Sequence, residues 1–294
     1  MVDVIIIYGP TAVGKSAIAV QLAKAINGEI ISADSKQIYK KLDIGSAKVT
    51  KEEMDGIKHY LIDIKQPWED YSVSDFCIDA NKAIKNILSR NKTPIIVGGT
   101  GLYIKGLIEG YSFGNTAKDI DFRSKLQNYT NSEIYQQILS INPNEIIDKE
   151  NRHRLIRRLE CLTLGTQNIN NDFKYTYKLF VISDERQKIY DRINNRVDKM
   201  LKDGLLDEAK MLQSECTFKD CLAMKAIGYK ELFPFLNNEK SLEECTEILK
   251  QKSRNYAKRQ FTFLNQFKSY TKVDFIGVKE TTIKIKQILE EQNG

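Results

Sequence analysis

The sequence predicts an α/β protein with a P-loop NTPase-like parallel sheet, helices on both faces, and a helical insertion domain. Three observations predict it. Gly9-Pro10-Thr11-Ala12-Val13-Gly14-Lys15-Ser16 satisfies the Walker A pattern at every required position, between an apolar β-branched run and a helix-periodic one. Strand-like runs then alternate with helix-like segments to about residue 110, the signature of βα units. From about Asn115 to Asn171 the strands stop and short amphipathic helices follow one another.

Taken in order, Val4-Ile5-Ile6-Ile7 is the first strand, apolar on both faces as a central parallel strand must be. Ala17 to Ala23 has helical spacing directly after the loop. Glu29-Ile30-Ile31-Ser32 is the second strand and runs out into Ala33-Asp34-Ser35. A polar loop leads to a helix over about 73–90, for which Ser72, Ser74 and Asp75 offer capping groups. Asn91-Lys92-Thr93 turns into the strand Pro94-Ile95-Ile96-Val97, which ends in Gly98-Gly99-Thr100-Gly101. The insertion holds helices around Arg123–Leu126, Glu133–Leu139 and Arg154–Leu159 without intervening strands, and closes in an Asn-rich loop near 168–172. Lys178–Ser183 resumes the sheet, and helices follow at 186–200, from Gly204 through Leu212, and at 243–268. Val273-Asp274-Phe275-Ile276 is the last strand, with a closing helix at 279–291. The expected division is a core over 1–114, the insertion over 115–172, and the rest of the core with basic C-terminal helices over 173–294.

Composition narrows the function classes. In 294 residues, 41% hydrophobic content is ample for a packed core, and 45 basic against 39 acidic residues leave a net charge of +6, compatible with a polyanionic partner. Five cysteines include no C-x-x-C pair, and only His59 and His153 could join them, which argues against zinc and for reduced thiols in a cytoplasmic protein. No apolar run reaches membrane-spanning length and the N-terminus lacks a leader pattern, so no membrane association is expected.

The chemistry starts at the loop. Its glycines allow successive N–H groups to converge on phosphate oxygens at a helix N-terminus. Lys15 adds a point charge and the Ser16 hydroxyl would ligate Mg²⁺, so the ligand is a di- or triphosphate. Nucleotide-hydrolysing enzymes with this loop place a metal-holding Asp at a neighbouring strand end; here that strand ends in glycines and Thr100. Asp34 and Thr100, both at C-terminal strand ends, should face whatever the loop holds. Asp34 keeps two readings, a catalytic carboxylate or a cap for the following helix. Arg192 and Arg196 also keep two: charge neutralisation on a phosphate leaving group, or surface pairing with Asp191 or Asp198.

Between Ile248 and Lys272 there is no Asp or Glu, while Lys250, Lys252, Arg254, Lys258, Arg259, Lys268 and Lys272 alternate with aromatic residues. Cations follow phosphates, and aromatics either stack on splayed bases or pack inward. The insertion adds Arg152, His153, Arg154, Arg157 and Arg158. Two basic surfaces beside a phosphate loop favour a nucleic-acid substrate.

Further elements extend this set: Asp34-Ser35-Lys36-Gln37-Ile38-Tyr39, Asp43-Ile44-Gly45-Ser46-Ala47-Lys48, His59-Tyr60-Leu61-Ile62-Asp63 and Tyr71-Ser72-Val73-Ser74-Asp75-Phe76. Val97-Gly98-Gly99-Thr100-Gly101-Leu102-Tyr103, Ala226-Ile227-Gly228-Tyr229-Lys230 and Tyr256-Ala257-Lys258-Arg259-Gln260 complete it. With these in this order, the chain resembles the tRNA dimethylallyltransferase (tRNA isopentenyltransferase) family nearly end to end. The resemblance implies transfer of a dimethylallyl group from dimethylallyl diphosphate to N6 of adenosine 37, beside the tRNA anticodon. By that likeness Asp34 is the general base, and Lys15, Thr100 and Arg196 complete the catalytic set. Residues 9–16 hold the diphosphate with Mg²⁺ on Ser16. The anticodon stem-loop is implied to meet Asp34, Ser35, Lys36, Gln37, Thr100, Arg123, His153, Arg154, Arg157, Lys225, Gly228, Tyr229, Lys230, Lys258, Arg259 and Gln260. A cytoplasmic monomer is expected.

This chain departs from the family pattern at Glu150, Lys225 and Phe263, and at Leu164-Gly165-Thr166-Gln167, where a Thr-Gly-Lys is usual. The rival reading from the residues alone is a P-loop kinase of a nucleoside or small molecule. It shares the loop and sheet but has no use for the acid-free helix.

Overall fold

The computed structural model describes residues 2–110, 113–114, 119–165, 168–169, 173–215, 221 and 224–291. The apolar runs that alternate with amphipathic segments become βα units. In chain order these are β1 (Val4–Tyr8), α1 (Lys15–Ala25), β2 (Gly28–Ser32), α2 (Lys51–Met54), β3 (His59–Tyr60), α3 (Val73–Leu88), β4 (Thr93–Gly98) and α4 (Gly101–Ile108). Next come β5 (Phe113–Gly114), α5 (Ile120–Lys125), α6 (Asn131–Ile141), α7 (Arg152–Leu164) and β6 (Asn168–Ile169). The chain continues with β7 (Tyr177–Ser183), α8 (Arg186–Lys202), α9 (Leu205–Glu215), α10 (Phe233–Leu236), α11 (Leu242–Phe263), a 3₁₀ turn at Leu264–Gln266, β8 (Thr271–Asp274) and α12 (Val278–Glu291).

The main sheet runs β3-β2-β4-β1-β7-β8, and every pairing in it is parallel. Central β1 is buried along its whole length, as its unbroken apolar sequence requires. Ile5 and Ile7 share one core with Ile18 and Leu22 of α1, Ile189 and Ile193 of α8, and Ile285 of α12. Helix α3 packs on β2, β4 and α4, where Phe76 stacks on Tyr103 with ring centres 4.5 Å apart. This layering turns the C-terminal ends of β1, β2 and β4 toward one crevice, the usual ligand position in such sheets.

Two compact units divide the chain: Met1–Ile108 with Phe173–Gly294, and Glu109–Asp172. The second begins before the expected 115. No strand intervenes among its three helices, as expected, but Asn168 and Ile169, expected in a loop, form β6 and pair antiparallel with β5 across its two ends. Two-residue strands leave no periodic trace in a sequence, and β3 went unforeseen for the same reason. The unit's core is Leu126, Ile134, Ile138, Leu155 and Leu159. Beside it Glu160, fully buried, receives Arg123 Nε at 2.9 Å and Arg123 NH2 at 2.6 Å. Arg157 at 2.7 Å and the Asp119 N–H at 2.9 Å also donate to it. Burial alone would raise this carboxyl, but its donors outweigh burial and hold it at about 2.

At the C-terminus the basic helix stops at Phe263 rather than 268, and the last strand is 271–274 rather than 273–276. Phe275 follows the strand, its N–H still donating to the Ser183 carbonyl at 2.7 Å, while its ring packs against Gly14 and under the Arg192 guanidinium.

Candidate active site

The β1–α1 loop forms the cradle. Gly14 has φ +94°, and an added Cβ would meet the Phe275 ring at 2.9 Å, so the tight turn requires glycine. Helix α1 starts at Lys15 with no side-chain cap at Gly14, which leaves its first-turn N–H groups aimed as an anion site. Lys15 Nζ donates to the Pro10 carbonyl at 2.6 Å and Arg196 NH1 to the Thr11 hydroxyl at 3.1 Å, neutral oxygens in both cases. Burial pushes Lys15 down to about 7, with Arg196 adding to the drop and Asp34 partly offsetting it. Burial also holds Arg196 below its ordinary value. Two desolvated cations beside bare N–H groups favour an anion of high charge density.

Thr100 joins the strand ends. Its hydroxyl accepts the Ser35 N–H at 3.0 Å, its own N–H donates to the Ala33 carbonyl at 3.2 Å, and it shares a hydrogen bond with Tyr256 of α11. Asp34 Oδ1 accepts the Lys36 N–H at 2.8 Å, so the carboxylate does cap a turn, yet it also lines the cavities below. No helix follows it, so the carboxylate caps a turn rather than a helix, at a position bordering both cavities. One turn beyond Tyr256, the Gln260 amide accepts the Thr11 N–H at 2.8 Å and donates to the Gly99 carbonyl at 2.8 Å. Any Cβ on Gly99 would occupy the Gln260 amide position, so that glycine makes room for the tie.

Two cavities meet here, sharing Thr11, Asp34, Ser46, Ala47, Arg196 and Tyr256 in their walls. One, of about 220 Å³, is the cradle itself, lined further by Lys15, Ser16, Gln37, Glu53 and His59. The other, of about 150 Å³, has an apolar wall of Ile193, Val197, Met200, Ile227 and Leu249. An anion site thus opens directly into a small greasy chamber, with one carboxylate on their border.

Comparison with known proteins decides the family. A family model described as IPP transferase matches residues 37–267. A tRNA dimethylallyltransferase of Lactococcus lactis subsp. lactis (strain IL1403) is 47% identical over 278 residues, covering 94% of this chain and 92% of the relative. The chain belongs to the tRNA dimethylallyltransferase (IPP transferase) family. Another tRNA dimethylallyltransferase, of Streptococcus pyogenes serotype M49 (strain NZ131), is 46% identical over 94% of this chain and 91% of its own length. The crystal structure of a tRNA isopentenylpyrophosphate transferase from Bacillus halodurans superposes with a TM-score of 0.77 at 39% identity, over 99% of this chain and 96% of that one. A eukaryotic dimethylallyltransferase acting on tRNA gives a TM-score of 0.77 at 28% identity, over 94% of this chain and 74% of that one.

Among tRNA dimethylallyltransferase residues expected to touch RNA, Ser35, Lys36 and Gly228 line the apolar chamber and Gln37 lines the cradle. Lys225, Lys230, Lys258 and Arg259 are exposed, Arg259 lying over the Tyr256 ring at 5.6 Å. Tyr229 is not exposed: it is fully buried and its hydroxyl donates to Glu208 at 2.6 Å. Gln260 is equally committed inside the protein. Within the insertion, His153 and Arg154 are exposed, whereas Arg123 and Arg157 are tied to Glu160. Thr166 and Gln167 lie outside the described residues. The acid-free helix is not one basic face either. Lys250 pairs with Asp198 at 2.8 Å and Arg254 donates to Asn194 at 2.6 Å, which docks α11 on α8. Arg192 pairs with Asp184, not Asp191 or Asp198.

Sequence reasoning missed Tyr256 as a site residue, reading it with the packing aromatics, and missed the chamber wall. Its signal was present in the Ile193, Val197 and Met200 spacing along the helix that carries Arg196. Glu208 left no signal at all. From α9 its carboxylate accepts the N–H groups of Asp43, Ile44 and Gly45 at 2.9–3.0 Å, and so fixes the loop that carries Ser46 and Ala47.

Proposed function

We propose that the protein transfers a dimethylallyl group from dimethylallyl diphosphate to N6 of adenosine 37 in the tRNA anticodon loop, releasing diphosphate. The observation that carries this reading is the join between a polar phosphate cradle and a small apolar chamber, with Asp34 in both walls. A diphosphate ester of a short branched alkene has those two halves in that order.

The donor's diphosphate sits on the loop N–H groups, Lys15 and Arg196, and its five carbons fill the chamber beside Ile193, Val197, Met200 and Leu249. As the bond from C1 to the diphosphate oxygen breaks, its electron pair leaves with the diphosphate. The desolvated cations then stabilise the growing negative charge more than they do the ground state. N6 of the adenine attacks C1. That amine is a weak nucleophile because its lone pair is shared with the ring, and Asp34 takes its proton as the new bond forms. Thr100, held by Ser35 and Tyr256, fixes the adenine against Asp34. The adenine reaches Asp34, at the border of the two cavities, by leaving its stack, which costs least in a loop.

The Ser16 hydroxyl, with Glu53 in the same cavity wall, fits Mg²⁺: the donors are hard oxygens, few in number, and the ligand's own phosphates complete the shell. Bound there, the ion would neutralise diphosphate charge. No group of three or more metal-ligating His, Cys, Asp or Glu side chains exists among the described residues. The proposed site is complete within one chain, so a monomer suffices, and a tRNA substrate places the work in the cytoplasm. No helix among the described residues is long and apolar enough to cross a membrane.

The test is direct. Protein, unmodified tRNA and dimethylallyl diphosphate are incubated, and the nucleosides are digested and weighed by mass spectrometry. Prenylated adenosine is expected; its absence from a folded, RNA-binding preparation overturns the reading. A kinase would instead consume ATP, and β4 ends in Gly98, Gly99 and Thr100 with no carboxylate to hold its metal.

A further inference from the structure

The apolar chamber has a definite depth, set by two helices. Tyr256, Ser253 and Leu249 line it from α11 on one face of the helix. Tyr256 also belongs to the cradle wall, whereas Leu249, two turns back along the chain, does not. Those two turns carry the wall about 10 Å away from the phosphate site. Helix α8 repeats the pattern. Arg196 lines both cavities, and Met200, one turn further on, lines the chamber but not the cradle. The Lys250–Asp198 pair at 2.8 Å and the Arg254–Asn194 bond at 2.6 Å set α8 and α11 antiparallel. In that register Met200 and Leu249 stand at one level, at the end of the chamber away from the cradle.

The rest of the wall has little room to give. Ile193 is part of the main core. Gly228 N–H donates to the buried Glu231 carboxylate at 3.0 Å, and a Cβ on Gly228 would meet the Gly45 carbonyl oxygen at 3.1 Å, so two wall segments are already in contact. The volume enclosed is about 150 Å³. An apolar cavity of about that size takes a molecule as large as benzene. We infer that Met200 and Leu249 are the specificity-determining residues that limit the donor to one five-carbon unit. This deepens the reading above and rests on it. A second unit on the same diphosphate has to displace these two side chains, and overfilling a packed apolar site costs more than the added contacts return. Met200 is the softer boundary of the two. It is half-buried on the last turn of α8, and it also lines a larger cavity, of about 860 Å³, beside Asn195, Lys199 and Asp203. Shortening it opens the chamber toward that volume.

The experiment compares dimethylallyl diphosphate with geranyl diphosphate, the same leaving group on a chain twice as long, as donors to unmodified tRNA. Wild-type protein should favour the shorter donor by about 10²-fold or more in kcat/KM. Met200→Ala should lower that preference by at least about tenfold, and Met200→Ala/Leu249→Ala should lower it further, because together they vacate the space the second unit needs. Inhibition by inorganic diphosphate, which needs only the cradle, should stay within about twofold. A merely structural role would depress both donors and diphosphate together and leave the preference where it was. Leu249→Phe tests the same wall without opening a cavity: it should raise the KM for dimethylallyl diphosphate about tenfold while diphosphate inhibits as before. The inference is overturned if wild type uses geranyl diphosphate as efficiently as the shorter donor, if Met200→Ala keeps the wild-type preference, or if Leu249→Phe leaves the donor KM unmoved. Absence of transfer from either donor by folded wild-type protein would instead remove the underlying reading.

Discussion

The cradle and the insertion both gather cations, and the two treat them in opposite ways. Lys15 and Arg196 are half-buried, donate to neutral oxygens and are held below their ordinary pKa values by lost solvation, which Asp34 (and Glu53 for Arg196) only partly offsets. Arg123 and Arg157 meet a buried carboxylate of their own, Glu160. The first pair is prepared for a ligand, whereas the second is part of how a small helical unit holds together. A basic residue is therefore a candidate binder only when the fold withholds its counter-charge. Glu29 shows the second pattern again within the core: Arg90, Lys92 and Tyr60 satisfy it and hold it at about 2.

The contrast breaks most readily at Asp34. Asp34→Ala should lower single-turnover prenylation by roughly 10²–10⁴-fold, the usual contribution of a positioned general base. RNA affinity should be unchanged within about threefold; an equal loss of both would make Asp34 structural only. Next, Lys15→Ala and Arg196→Ala should each cost roughly 10²–10³-fold in kcat. Arg123→Ala should leave kcat at saturating tRNA near wild type but destabilise the insertion by about 3 kcal/mol, because it strands a buried carboxylate. Denaturation and steady-state kinetics on the same three variants separate the roles, and matching profiles would abolish the distinction.

Acid should sharpen it further. In the folded protein the Arg123, Arg157 and Asp119 donors outweigh burial and hold the Glu160 carboxyl at about 2, below the ordinary glutamate value of 4.5. Its contribution is thus fully present above about pH 4.5 and is lost as pH falls from there toward 2. Glu160→Gln should flatten the stability–pH curve in that window, and an unchanged slope would mean the cluster forms without charge. The smallest effect belongs to exposed cations. Lys258→Ala should reduce the salt dependence of tRNA binding by about one unit in log–log slope and leave donor affinity alone.

Much of this was written locally. The cradle follows from eight contiguous residues and their flanks, since backbone turning and helix onset are short-range events. The βα alternation and the insertion follow from periodicity. Asp34 and Thr100 were found because strand ends in a parallel sheet share one edge. Tyr256, Gln260 and Glu208 were misread or unseen because each acts on a partner far along the chain: Gln260 on Thr11 and Gly99, Glu208 on residues 43–45. Nothing local marks such a tie.

By itself, then, the order of amino acids determined the sheet, the phosphate loop and the family, all of which depend on near neighbours or on motif order. Only the tertiary structure decided which cations are spent and which are open, since Lys250, Arg123 and Arg157 meet carboxylates whereas Lys15 and Arg196 donate to neutral oxygens. The physical reason is that charge is neutralised through space, over a few ångströms, by groups that the chain brings together only once it has folded.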